Sequence, residues 1–155
     1  MKIKQNYLLA LFSAFVMWLA WPPHTWLAPL LFIGLVPLLI ALNQITTTSD
    51  KKTGKKVFIT AGLTFLVWNT ASIYWVFNSI NAVNTGFIGT VVSLLVSLIP
   101  YGLGALLMTF AFWMYYRLGT YTNKKWIGYT ALIAFYISME YLHQTWDLAF
   151  PWMTL

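Results

Sequence analysis

Glu140-Tyr141-Leu142-His143, followed by Asp147 and then Phe150-Pro151-Trp152, forms the densest polar group in a chain with only three acidic side chains. Glu140 and His143 stand three residues apart, on one helical face, which is the Glu-x-x-His half of a di-metal carboxylate site. Such a site needs a second Glu-x-x-His and further carboxylates. The remaining acid, Asp50, lies far upstream, so no metal ligand set is expected. His143 and Asp147 fall one residue short of a His-x-x-x-x-Asp spacing that would make the imidazole a general base. Two readings remain open: a local network of two carboxylates and an imidazole sharing hydrogen bonds, or direct contact with a substrate. Ionisable groups at the end of an apolar run are usually paired or functional.

A second polar group lies upstream. Asn69, Ser72 and Ser79 share one face if the helix is continuous, with Asn78 and the pair Tyr74-Trp75 nearby. Buried Asn and Ser must find partners, so packing against another helix is one reading. Lining a cavity is the other. There is no cysteine, which excludes disulfides, thiolate metal sites and a cysteine nucleophile. No Gly-rich phosphate loop and no Ser-His-Asp order is present, so neither a catalytic residue nor a cofactor is assigned. The pairs Gly102/Gly104 and Gly86/Gly89 suit close helix approach. His24, in a loop of prolines and aromatics, reads as a surface histidine.

The elements that must position these residues are apolar helices. Of the 155 residues 60% are hydrophobic and 8% charged, and mean hydropathy is +0.72. A soluble domain carries about 25% charged residues, so lipid must cover much of this surface. Apolar runs over 7–21, 26–42, 57–80, 87–116 and 126–142 approach the roughly 20 residues that cross a bilayer. The sequence predicts an all-α integral membrane domain of five transmembrane helices filling residues 1–155. The fourth run exceeds one bilayer thickness; Pro100, Gly102 and Gly104 offer a kink, and tilt absorbs the rest.

A net charge of +6 does not point to nucleic acid, because the nine basic residues punctuate the ends of apolar runs. Lys2 and Lys4, Lys51 to Lys56, and Arg117 to Lys125 fall on one side if the N-terminus is cytoplasmic. That places the Asn81–Gly86 loop and the His143 region outside. Tryptophans follow the same map, with Trp18, Trp21, Trp26, Trp75, Trp146 and Trp152 near the outer interface and Trp113 and Trp126 near the inner one. Only Trp68 falls mid-span. The first run is not read as a cleaved signal peptide, since Leu19-Ala20-Trp21-Pro22-Pro23 puts bulky residues where small ones are required.

Several stretches together resemble one family. Trp21-Pro22-Pro23-His24, Trp26 and Phe32-Ile33-Gly34-Leu35-Val36-Pro37-Leu38-Leu39 resemble the opening of apolipoprotein N-acyltransferases. Gly62-Leu63-Thr64-Phe65 through Ile73-Tyr74-Trp75-Val76 and Ser79-Ile80 are similar to that family's third span. Glu140-Tyr141-Leu142 through Phe150-Pro151-Trp152 carries its glutamate and phenylalanine-proline-tryptophan element. The order and spacing of these motifs cover essentially the whole chain. Many members have Arg and Gly at the positions of His143 and Gln144, so a role for that arginine does not transfer.

The resemblance implies transfer of an acyl chain from a membrane phospholipid to the N-terminal amine of a diacylglyceryl-cysteine lipoprotein, in the bacterial inner membrane. It implies a thioester on a cysteine of a nitrilase-like Glu-Lys-Cys domain, which this chain lacks. A separate catalytic chain or a missing C-terminal domain is therefore expected as partner, and the chain alone is expected to be inactive. Glu140, His143, Tyr74, Trp75, Phe150, Pro151 and Trp152 are the expected edge of a lipid-accessible cavity. An accessory or structural membrane protein is the alternative; a small transporter subunit would need mid-span ionisable groups that are absent.

Overall fold

The computed structural model describes residues 2–22, 24–48, 50–84 and 86–145, apart from the side chains of Lys2, Ile3, Thr25 and His143. All regular elements among them are helical: α1 (Lys2–Leu19), a 3-10 stretch (Thr25–Leu30), α2 (Leu31–Gly34), α3 (Val36–Thr46), α4 (Thr53–Ser72), α5 (Trp75–Val83), α6 (Gly86–Tyr121) and α7 (Lys125–Thr145). Two segments, Trp26–Thr46 and Gly86–Tyr121, are long and apolar enough to cross a membrane. The pair α4 and α5 makes a third if counted as one broken span. Large apolar side chains face outward, including Leu8, Phe32, Ile33, Phe87, Leu95 and Ile99. A water-soluble surface does not carry such a coat; lipid accommodates it.

Helix α1 stops just before Pro22, because a proline disfavours helical geometry in the residue ahead of it. The segment after it crosses in three pieces. Leu35 interrupts it ahead of Pro37, whose missing N–H breaks the ladder. The Ser13 hydroxyl of α1 donates to the Gly34 carbonyl at that break. In hydrocarbon a freed carbonyl costs several kcal/mol unless a neighbour takes it.

The third apolar run is not the continuous helix expected over 57–80. It breaks at Ile73 and Tyr74 into two helices bent by 52°. No proline or glycine stands there. One turn before the break the Asn69 carboxamide donates to the Phe65 carbonyl at 2.8 Å, the kind of local side-chain bond that competes with the helix ladder. Ser79 therefore lies on α5 and is exposed, apart from the face of Asn69. The fourth run, expected over 87–116, is a single 36-residue helix with Pro100 inside it.

Helix α4 occupies the centre, packing against α1, α3 and α6, while α7 and α5 pack on α6. Its buried positions Val57, Thr60, Ala61, Thr64, Phe65, Trp68 and Asn69 follow the i, i+3, i+4, i+7 period. Lipid gives little hydrophobic drive for helices to associate, so contact geometry must hold them. An aromatic chain supplies much of it: Trp21 meets Trp68 edge-on at 5.5 Å, Phe65 meets Phe112 at 5.1 Å, and Phe112 meets Tyr136 at 6.4 Å. Each such pair contributes about 0.5–1.5 kcal/mol beyond burial. Trp21, just after α1, packs half-buried against the core. Polar ties add to this, as where Thr64 donates to the Ala10 carbonyl of α1 at 3.1 Å.

Small residues set the closest approaches. A Cβ on Gly104 would lie 3.2 Å from the Asn69 carboxamide oxygen, as close helix approach predicts. Gly102 faces open space, and Gly86 adopts φ +83 in the turn before α6 with nothing near it; neither packs a helix. The tighter pair is Gly119 and Gly128, where α6 meets α7.

Candidate functional site

Tyr74 and Trp75 stand where α4 gives way to α5, 61% and 41% exposed. A broken span leaves the first N–H groups of the second helix without partners, and α6 supplies one. The Phe77 N–H donates to the hydroxyl oxygen of Tyr101 at 3.3 Å, and Tyr101 is itself buried. At the other end of α5 the Asn84 carboxamide donates to the Ile80 carbonyl at 2.9 Å and to the Ser93 hydroxyl at 3.5 Å. Helix α5 is thus tied to α6 at both ends. Sequence reasoning missed Tyr101; a tyrosine next to Pro100 gave no sign that it caps a helix from across the bundle.

Replacing Tyr101 with phenylalanine removes that acceptor and little volume. A lost hydrogen bond of this kind costs about 0.5–1.5 kcal/mol. The expected result is roughly tenfold faster amide exchange at Phe77 and along α5, with α4 unchanged. Uniform exchange across both helices would show that Tyr101 does not hold α5.

Glu140 lies on α7, half-buried, one turn beyond Tyr136. Facing pairs fix the register of α7 on α6: Phe135 on Phe110 at 6.1 Å, Tyr136 on Phe112 at 6.4 Å, Tyr129 on Tyr115 at 5.1 Å, and Gly128 on Gly119. Continued at one residue per residue, this antiparallel register carries Thr145 to the level of Tyr101. The end of α7 and the start of α5 therefore reach α6 at one depth. Of the expected cavity residues, Tyr74 and Trp75 are brought together at the α5 break, and Glu140 lies on the second helix flanking α6. His143 is on α7. Phe150, Pro151 and Trp152 lie outside the described residues, as does Asp147.

Among the described residues the interior carries polar atoms without protein partners: Trp68 Nε1, Asn69 Oδ1 and Ser72 Oγ on α4, and the Tyr136 hydroxyl on α7, which is level with Phe112 rather than Tyr101. Buried polar groups in a low-dielectric interior call for a partner. Among the described residues no cluster of three or more His, Asp or Glu could hold a metal.

The opposite end of the bundle gathers the basic residues. Clefts there bring Gln5 and Asn6 of α1 beside Lys56, and Thr46 and Thr47 of α3 beside Asn123 and Lys125. The Arg117 guanidinium lies over the Trp113 ring at 5.4 Å. In the loop before α4, Lys56 pairs with Asp50 at 2.8 Å. That hydrogen bond, with one from the Lys52 N–H, holds the Asp50 carboxyl below the usual carboxylate range.

Comparison with curated proteins and with solved structures gives no match. Among protein families, the model described as the apolipoprotein N-acyltransferase N-terminal domain matches residues 13–155.

Proposed function

The chain belongs to the apolipoprotein N-acyltransferase N-terminal domain family, and from that premise we propose that it is the membrane portion of an enzyme that moves an acyl chain from phospholipid to the N-terminal diacylglyceryl-cysteine of lipoproteins. The observation that carries this reading is the family match over residues 13–155. The lipid-facing coat of the helices is in keeping with it. The nucleophile comes from a nitrilase-like Glu-Lys-Cys domain, in the same polypeptide or a separate one, since these 155 residues hold no cysteine. This chain's part is to admit an acyl chain from the bilayer and hold it where that domain can reach it.

In this reading the chain crosses the inner membrane five times, N-terminus in the cytoplasm. The gathering of Lys4, Lys51 to Lys56 and Arg117 to Lys125 at one end supports that orientation. Reporter fusions after Asn43 and Thr122 are expected to report cytoplasm, and one after Asn84 periplasm. A periplasmic signal at Asn43 would overturn the topology.

The lipid entrance is proposed at the depth shared by the α5 break and the end of α7, with Tyr74 and Trp75 on one side and Glu140, His143, Phe150, Pro151 and Trp152 on the other. The test grafts this chain onto the catalytic portion of an intact homologue and reads lipoprotein triacylation by mass spectrometry. The chimera is expected to work, and Trp152→Ala or Glu140→Gln to lose acyl transfer while protein level and membrane insertion stay normal. Full activity in both variants would reduce these aromatics to interfacial anchors.

A further inference from the structure

At the basic end, the first turns of α1, the last turn of α3 and the first turns of α4 surround a cleft of about 420 Å³. Most of the side chains lining it are polar, namely Gln5, Asn6, Gln44, Thr47, Thr48 and Lys56, with Ile45 beside them. Asn6 is only 6% exposed, and its carboxamide oxygen is buried with no hydrogen-bond partner. A buried carboxamide left unsatisfied in this way is costly unless something else reaches it. Nothing on the protein side holds it, so rotation about χ2 can present its donor and its acceptor to the cleft.

The rest of the wall defines what would fit. The hydroxyls of Thr47 and Thr48 both donate to the Gln44 carbonyl, at 3.0 Å and 2.9 Å. Their oxygens are left as acceptors. The Lys56 ammonium uses one donor on Asp50 and has two more. Lys56 lines the cleft itself, and Lys4, Lys51, Lys52 and Lys55 lie close along the chain to residues that line it, against the single carboxylate of Asp50, so this end of the bundle is positive. The cleft offers a cation and amide donors for an anion, and beside them acceptors for a hydroxyl. Further along the same helices, Leu8 and Ile59 face outward, an apolar surface suited to acyl chains.

We propose that this cleft holds the headgroup of an anionic phospholipid with a hydroxylated headgroup, of the phosphatidylglycerol type, as a retained lipid separate from the acyl donor. The phosphate takes hydrogen bonds from Lys56 and the Asn6 amide, and the headgroup hydroxyls donate to the Asn6 carbonyl and the threonine oxygens. Such a lipid ties α1, α3 and α4 together where their backbones leave the bilayer. Nothing in the proposal depends on acyl transfer or on which leaflet the cleft faces.

Native mass spectrometry of the whole chain released from detergent tests it, with phosphatidylglycerol, phosphatidylethanolamine and phosphatidic acid of matched chains as probes. Phosphatidylglycerol is expected to be retained roughly tenfold over phosphatidylethanolamine, with phosphatidic acid between, the effect of about one charge-assisted hydrogen bond. Lys56→Gln and Asn6→Leu are each expected to lower that retention about tenfold, while Lys56→Arg and, at the other basic loop, Lys125→Gln keep it. Lys56 is surface-placed, so its variants fold even if Asn6→Leu does not. Equal retention of all three lipids, or retention indifferent to Lys56→Gln, would overturn the proposal. So would displacement of the lipid by soluble glycerophosphate at matched concentration, which would make the ligand a free phosphate rather than a membrane lipid.

Discussion

Incubated with phospholipid and a diacylated lipopeptide, the purified 155-residue chain is expected to yield no triacylated product above a boiled control. The proposed chemistry splits acyl transfer into two steps through a covalent intermediate, and that route exists only if a nucleophile accepts the acyl group. Removing the nucleophile from such an enzyme costs on the order of a millionfold in rate. No cysteine is present, and a serine or threonine hydroxyl is a weak nucleophile without a base to activate it; most of the buried ones are also engaged, Thr60 and Ser72 excepted. Ser13, Ser93, Ser97 and Thr109 each donate to a backbone carbonyl, which spends the proton a base would have to remove. His24 lies against the Trp18 ring at 6.0 Å, not against a hydroxyl. Adding a separately expressed catalytic domain with its cysteine is expected to restore product if the two associate. Triacylated product from this chain alone would show that the chemistry runs through another group.

Gly128→Leu is expected to separate α6 from α7. A Cβ at position 128 would lie 2.9 Å from the Tyr115 carbonyl oxygen and 3.3 Å from the Gly119 Cα. Both are backbone atoms and cannot swing aside. Overpacking costs about 1–3 kcal/mol where side chains can yield, and here they cannot, so leucine should exceed that range and alanine fall within it. The pairs Tyr115–Tyr129, Phe112–Tyr136 and Phe110–Phe135 would be pulled apart together. Thermal unfolding in detergent, followed by near-ultraviolet circular dichroism, should show a large fall in midpoint and lost aromatic signal. Gly102→Ala is the control: its Cβ meets nothing within 4 Å, and replacing a mid-helix glycine there should be neutral or stabilise by about 0.5–1 kcal/mol. Equal effects at the two positions would mean that the α6–α7 contact is looser than described.

The apolar runs were legible because lipid demands them: about twenty residues without charge leave few alternatives to a helix. Gly104 was legible for a similar reason, since a small residue inside an apolar run invites close approach. The break at Ile73 was not, because no proline or glycine marks it, while Asn69, Thr70 and Ser72 are residue types able to bond the local backbone in place of the helix ladder. Those side chains also read as an interhelical face, and the sequence does not say which use prevails. Gly119 and Gly128 could have been found. They stand nearly symmetrically about the turn at Thr122 to Lys124, and an antiparallel hairpin must bring such positions opposite each other. The contact of Trp21 with Trp68 was not legible, because the two are remote in sequence and aromatic residues next to prolines are common at interfaces. As for the site, the sequence marked Tyr74 and Trp75 without showing that a helix begins there, and Tyr101 carried no signal at all. Its downstream half, Phe150 to Trp152, lies outside the described residues.

Helices α1, α4 and α7 have 18, 20 and 21 residues, roughly 27–32 Å each at the usual rise, while α6 has 36, about 54 Å. The register on α4 and α7 assigns the surplus to residues before Tyr101, where, among the described residues, α5 is the helix packed on α6. Mechanically this is a cantilever: a hairpin of two helices fixed at one end by Tyr101 and closed at the other by the Asn84–Ser93 contact. A rotation of about 10° at its root, small for a hinge, would sweep a tip some 20 Å away through on the order of 3 Å. The break at Ile73 lies at that root, so small adjustments among Asn69, Tyr74 and Tyr101 are magnified at the hairpin's far end rather than absorbed.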